Sequence, residues 1–284
     1  MSPVRYETGG GVATITLDNP ENRNAITPEL VDGIADGLER AAADSAVRAI
    51  VLTHTGNTFC AGADLTAQGT GGETLSPAEQ QRARGQQAAA LNRAMLEHPK
   101  PIIAALHGHV RAGGMGLVAC CDFAVAGPKA TFGLSEVRIG VVAAMIAPAV
   151  LARLGDRTAA DWMLRGGAVT PHEAAAAGFI STAIEPEAAK AADPASPERP
   201  QAPADAARQA VDEAVRAILA DLRKSAPAAL AASKALVNRR VLDRLDRDLE
   251  EMLDLSAKFF LGEDAAAGMQ AFLAKQPAPW VISE

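Results

Sequence analysis

Aromatic side chains are scarce: the 284 residues include seven Phe, two Trp and one Tyr, 4% in all. So few rings argue against a base-stacking platform for single strands. Basic charge is also in deficit, with 27 Lys and Arg against 34 Asp and Glu, a net −7 and a pI near 5.3. That balance lacks the positive footprint of a nucleic-acid binder. Only three cysteines occur, Cys60, Cys120 and Cys121, with no disulfide framework and no paired C-x-x-C metal site. The longest apolar run, residues 139–152, contains Gly140 and Pro148 and stops at Arg153. It falls short of the roughly 20 residues that a membrane helix needs. Met1-Ser2-Pro3-Val4-Arg5-Tyr6 leads into strand-like sequence without an apolar leader. The expectation is a soluble, cytoplasmic protein with neither nucleic acid nor membrane as partner.

What is present suffices for a packed core, since 49% of residues are hydrophobic and 21% charged. The length allows one large domain or two modest ones. Residues 4–7 and Val12-Ala13-Thr14-Ile15-Thr16-Leu17 read as strands, the second alternating apolar and polar. Thr27-Pro28-Glu29 opens a helix with a hydroxyl cap, a proline and an acid at the positive end of the dipole. Residues 49–53 and 101–106 are apolar runs of strand length. Ser76-Pro77-Ala78-Glu79 is a capping box that starts a helix reaching about Glu97, and Thr170-Pro171-His172-Glu173 is another, with Gly178 placed to stop its helix. His107 to Gly114 reads as a turn into a helix ending near Cys121, followed by short strands at residues 123–126 and 131–132. Strands alternating with helices predict an α/β core on a largely parallel sheet.

Composition changes after residue 185. Prolines 186, 194, 197, 200 and 203 among alanines and charges predict a linker or mobile loop over 186–207. The core then spans 1–185 and a helical C-terminal region 208–284. In that region Leu242, Leu245, Leu249, Met252, Leu255 and Phe259 fall at helical spacing, an apolar stripe for the core or for another subunit.

Two glycine segments carry unusual backbone chemistry: Phe59-Cys60-Ala61-Gly62-Ala63-Asp64 and Arg111-Ala112-Gly113-Gly114-Met115-Gly116. The second fits neither a phosphate loop, for want of Gly-Lys-Ser/Thr, nor a dinucleotide G-x-G-x-x-G. Two readings stay open: the glycines present free amides to a negative charge, or they let a helix pack closely on a strand. Gly133-Leu134-Ser135-Glu136-Val137 lacks the final glycine of a nucleophile elbow. His107 and His109 have no third metal ligand at a recognised spacing, so the expected metal set is none.

In combination, Asn19-Pro20, Arg23-Asn24-Ala25, the two glycine segments, Cys121-Asp122, Leu134-Ser135-Glu136-Val137-Arg138-Ile139-Gly140 and Gly268-Met269-Gln270-Ala271-Phe272-Leu273-Ala274-Lys275 resemble the crotonase (enoyl-CoA hydratase/isomerase) superfamily. Local motifs are similar to bacterial hydratases of branched acyl-CoAs, the methylglutaconyl-CoA type. The resemblance implies a spiral of ββα units with a C-terminal helical trimerisation region, assembled as a trimer or as a hexamer of two trimers. It implies an acyl-CoA thioester as substrate, with coenzyme A entering as part of it and no other cofactor. By the same resemblance the Ala63 and Gly113 amides hold the thioester oxygen and Glu136 is the acid–base group. Arg23, Ala25, Ala61, Asp64, Leu65, Gly114, Gly116 and Lys275 fall at substrate- or CoA-binding positions.

Within the family, hydratases of the type enzyme carry a further glutamate where this chain has Gly116. A single Glu136 suits a double-bond isomerase, whereas the branched-substrate likeness favours hydration. A non-catalytic acyl-CoA binder is a third expectation. Asp64 is expected to brace its turn, and Arg111 to make a solvent-facing salt bridge.

Overall fold

The computed structural model describes residues 2–65, 75–185 and 203–282. Strands β1 (Val4–Gly9) and β2 (Val12–Leu17) pair antiparallel across Gly10 and Gly11, both at positive φ, as a tight two-residue hairpin turn requires. Helix α1 (Pro28–Ala43) starts at its expected cap, where the Thr27 hydroxyl accepts the Leu30 amide at 3.3 Å. There follow β3 (Ala49–His54), β4 (Thr58–Cys60) and α2 (Pro77–Glu97), then β5 (Ile102–Leu106), β6 (His109–Arg111) and α3 (Gly113–Cys120). The chain continues through β7 (Phe123–Ala126), β8 (Phe132–Gly133), α4 (Ala147–Arg153), α5 (Asp156–Arg165), α6 (Pro171–Ala176) and β9 (Thr182–Ala183). It ends in α7 (Pro203–Leu222), α8 (Pro227–Phe260) and α9 (Glu263–Leu273). Both expected capping boxes, at Ser76 and Thr170, are formed.

The larger sheet has the order β1-β2-β3-β5-β7-β9 and is parallel from β2 onward; β4-β6-β8 form a second parallel sheet. Each pass lays one strand in the large sheet and the next in the small one. Helices α2 and α3 carry the chain back after β4 and β6, which makes a spiral of ββα turns. Strand β5 and residues 49–52 of β3 are continuously apolar because helices cover both faces of the sheet. On one face Ile15, Leu17, Leu30, Ile34, Met95 and Phe132 form the main core. On the other, Val51, Ile103 and Val125 pack against Val211, Val215 and Leu219 of α7.

Three details differ from expectation. Residues 107–114 are more than a turn, because β6 lies within them and pairs with both β4 and β8. Helix α7 begins at Pro203, inside the segment expected as linker, whose residues 186–202 lie outside the described residues. In α8 the buried line runs through Lys234, Asn238, Val241, Leu245, Leu253 and Ser256. Of the six apolar positions expected to face the core or another subunit, Leu245 is buried in the core, while Leu242, Leu249, Met252, Leu255 and Phe259 lie half-exposed.

Polar chemistry turns the helix that way. The Lys234 ammonium lies 2.8 Å from an Asp122 carboxylate oxygen and donates to the carbonyls of Met95 and Lys100. Asn238 donates to the Leu96 carbonyl at 3.0 Å. Met95 and Leu96 belong to the last turn of α2, whose carbonyls lack intrahelical partners. Outside this buried seam Arg82 pairs with Glu250 and Asp254, and Arg93 with Asp246.

Candidate active site

The two glycine segments meet. Gly62 has φ +92°, and a Cβ there would lie 2.6 Å from the Ala112 Cβ and 3.3 Å from the Gly113 nitrogen. Gly113 in turn would place a Cβ 2.5 Å from Ile26 Cδ1 and 3.6 Å from the Gly62 Cα. Ala63 and Gly113, fifty positions apart in the chain, thus come to one place. The first turn stands on Asn24, whose side chain accepts the Asn19 amide at 2.8 Å and donates to the carbonyls of Thr55 (3.2 Å) and Thr58 (2.8 Å). That bracing holds Arg23 and Asn24 in the left-handed region, at φ 50° and 51°. The Ile26 amide then donates to the Gly62 carbonyl, 2.8 Å, and the Ala61 amide to the Arg23 carbonyl, 3.1 Å.

The second turn is strained where it matters. Ala112 sits at φ 47°, ψ −120°, a conformation that L-residues avoid, and Gly113 is the first residue of α3. Its amide therefore has no intrahelical acceptor and lies at the positive end of the helix. Among the described residues, no acceptor stands on either the Ala63 or the Gly113 amide. The Ala112 amide donates to the Gly133 carbonyl at 3.1 Å, and this links the turn to β8 and hence to Glu136 three residues on.

Glu136 opens a 3-10 turn, Glu136–Ile139, closed by Gly140 at φ 74°. The residue is 9% exposed, and its Oε2 is buried without a hydrogen-bond partner among the described residues. Burial pushes its carboxyl up to about 7, against a smaller lowering by its own backbone amide. An acid tuned near neutrality takes and returns a proton with little penalty in either direction. Helix α9 covers this turn closely, since Cβ atoms at Gly140 and Gly268 would lie 2.5 Å from the carbonyl oxygens of Asp264 and Ile139.

The other expected residues take varied places. Ala25 is buried; Ala61, Asp64 and Leu65 are half-buried; Ala63 is exposed at the mouth of its turn. Asp64 accepts a bond from Asn22 Nδ2 at 3.0 Å. Gly114 packs on Cys60, whose sulfur accepts the Gly62 amide at 3.4 Å. Arg23 is exposed beside that turn, and Lys275 is exposed just beyond α9 at φ 55°. Arg111 departs from expectation. It is half-buried and donates to neutral acceptors, the carbonyls of Val110 and Thr131 and the Thr131 hydroxyl, which lie within reach along β6 and β8. A cleft of about 470 Å³ between α5 and α6 contains none of the expected residues.

Two residues escaped the sequence reading, Ile26 and Ile146. At Gly116 a Cβ would meet Ile146 Cγ2 at 2.5 Å and Cβ at 3.1 Å. The place of a side chain at 116 is therefore filled with hydrocarbon. Nothing in an isolated isoleucine signals that contact.

Comparison with known proteins identifies the family and the fold. The model of the family "Enoyl-CoA hydratase/isomerase" matches residues 7–192. A Thermus thermophilus protein bearing an enoyl-CoA hydratase name is 32% identical over 272 residues, covering 94% of this chain and 96% of the relative. An enoyl-CoA hydratase structure from Mycobacterium avium is 40% identical with TM-score 0.84, covering 99% and 100% of the two chains. A structure from Mycobacterium avium paratuberculosis K-10, also bearing an enoyl-CoA hydratase name, is 42% identical with TM-score 0.84, covering 98% and 99%. With its parallel sheets, paired glycine turns and buried glutamate, the chain belongs to the enoyl-CoA hydratase/isomerase family of the crotonase superfamily.

Proposed function

We propose that this protein adds water across the 2,3 double bond of an enoyl-CoA thioester, with Glu136 as its acid–base group. The observation that supports this reading is a buried carboxylate with an unpartnered oxygen and a pKa of about 7, linked through β8 to the Ala112–Gly113 turn, which meets the Gly62 turn. The ionised Glu136 takes a proton from water as the water oxygen bonds to Cβ. The π electrons move toward the thioester, and the charge forms on its oxygen, held by the amides of Ala63 and Gly113. One such preorganised donor contributes about 2.7–4 kcal/mol. Glu136 then returns the proton to Cα and regains its charge. No metal or redox cofactor enters the scheme, and CoA is part of the substrate. Arg23 and Lys275, both exposed cations, are proposed to meet its phosphates.

A second reading, double-bond isomerisation, is favoured by the Gly116–Ile146 contact, which leaves no room for another carboxylate at that place. There Glu136 moves one proton between two carbons and no water adds. A panel of straight, branched, carboxylated and aromatic 2-enoyl-CoAs, with a 3-enoyl-CoA beside them, separates the readings. Formation of 3-hydroxyacyl-CoA supports hydration. Conversion of the 3-enoyl to the 2-enoyl form without a hydroxy product supports isomerisation. Binding without turnover on any member supports a non-catalytic acyl-CoA carrier.

Assembly as a trimer, or as two trimers, is proposed from the half-exposed apolar flank of α8 together with exposed Leu236, Val237, Leu261, Phe272 and Leu273. No described helix is long and apolar enough to cross a membrane. A cytoplasmic location accords with that and remains part of the proposal.

A further inference from the structure

Gly113 and Gly116 stand three residues apart on α3 and so share one face of the helix, about 4.5 Å apart along its axis. Two isoleucines close on that face. Ile26 Cδ1 lies 2.5 Å from where a Cβ of Gly113 would be, and Ile146 Cγ2 lies 2.5 Å from where a Cβ of Gly116 would be. Ile26 is half-buried and Ile146 is 8% exposed. Ile146 is held firmly, because it ends a 3-10 turn, Ala144–Ile146, that runs directly into α4. Its neighbour Met145 packs against Gly85 of α2, beside Leu253 of α8.

We propose that Ile146 is the specificity-determining residue of the acyl pocket, a hydrocarbon stop that selects compact acyl groups, apolar beyond Cβ, over long ones. The inference rests on the reading that the Gly113 amide holds the thioester oxygen. A carbonyl anchored there directs its chain along the helix face that Gly113 and Gly116 share. The side chain packed on that face at Gly116 is Ile146. A β-branched residue fits the task, since its single favoured χ1 rotamer keeps the wall stiff. Arg111, the nearest cation in sequence to Gly113, is engaged with Val110 and Thr131, which matches an apolar acyl end.

The test compares wild type, Ile146→Val and Ile146→Ala on straight-chain 2-enoyl-CoAs of four to twelve carbons. Far-UV circular dichroism and a thermal melt establish that each variant is folded. The expected result is a rise of about 10-fold or more in the long-to-short ratio of kcat/KM for Ile146→Ala, with Ile146→Val between, as a pocket opened by a few methyl groups allows. An unchanged ratio, with all lengths scaled together, overturns the inference, because a residue that only supports the core moves every substrate alike. Binding of the matching saturated acyl-CoAs by calorimetry reads the same ratio without turnover. If wild type turns over nothing, the function reading fails, and the binding ratio alone decides the role of Ile146: a shift toward long chains upholds it, a constant ratio refutes it. Should Ile146→Ala not fold, Ile146→Val decides by the same two ratios.

Discussion

Gly62 and Gly113 lie backbone to backbone, so close that a Cβ on Gly62 would stand 3.3 Å from the Gly113 nitrogen and 2.6 Å from the Ala112 Cβ. Gly62 also has φ +92°, where an L-side chain is strained whatever the space. Gly62→Ala is therefore expected to spread the two turns and lower kcat by about 10²–10³, the effect of losing one oxyanion donor. Steady-state kinetics with an intact circular dichroism spectrum is the check. A folded Gly62→Ala with wild-type kcat contradicts the proposed convergence.

Glu136 carries an opposition between stability and function. Its carboxyl sits at about 7 in the folded protein against an ordinary value of 4.5, because burial penalises its charge. Between those values the native state binds more protons than the unfolded one, so stability falls as pH rises across that window. The full difference amounts to roughly 3 kcal/mol at pH 8. Glu136→Gln is expected to recover about 1–3 kcal/mol of it at pH 8 and much less at pH 5. Urea unfolding at the two pH values measures this; equal effects at both refute the burial-driven shift.

The same ionisation shapes the rate. With Glu136 needed as its anion in the free enzyme, kcat/KM rises with pH and levels above about 7. A profile flat from pH 5 to 9 removes Glu136 from the chemistry.

The buried seam between α8 and α2 gives a purely structural prediction. Lys234 and Asp122 are 4% and 12% exposed at the side chain, and their charges compensate one another. Lys234→Ala strands the Asp122 carboxylate and is expected to cost about 3–5 kcal/mol. Lys234→Ala with Asp122→Asn leaves no lone charge and is expected to cost less. Denaturant melts of the two variants test the difference; equal losses would place the stabilisation in packing.

Burial pushes the thiols of Cys60 and Cys120 up to about 12, and that of Cys121 higher still. All three are expected to resist a thiol reagent at pH 8 in the native protein and to react fully in denaturant. A fast-reacting native thiol would show an opening that the packing does not have.

These outcomes also mark how far the sequence carries. Helices with hydroxyl caps and prolines, at Thr27, Ser76 and Thr170, were legible because the capping chemistry is local. Strands β4 and β6 have only three residues each, too short to show a period, so the second sheet stayed hidden although its β8 strand was expected near 131–132, and residues 107–114 read as a turn. In α8 the apolar stripe was visible but its orientation was not. Lys234 and Asn238 face inward because the end of α2 offers them carbonyls and Asp122 a carboxylate. At the site, Glu136 was named through resemblance, and its raised pKa follows from burial that no single motif encodes. Ile146 is silent in sequence, since its role lies in a contact with a glycine thirty residues away.

The central claim is that one carboxyl, Glu136, moves the proton. The most direct test is turnover of a 2-enoyl-CoA in deuterated water by wild type and by folded Glu136→Gln. The account predicts a 3-hydroxyacyl-CoA carrying one deuterium at Cα from wild type, and a kcat lower by about 10²–10⁴ in the variant. Comparable turnover by the two proteins contradicts it.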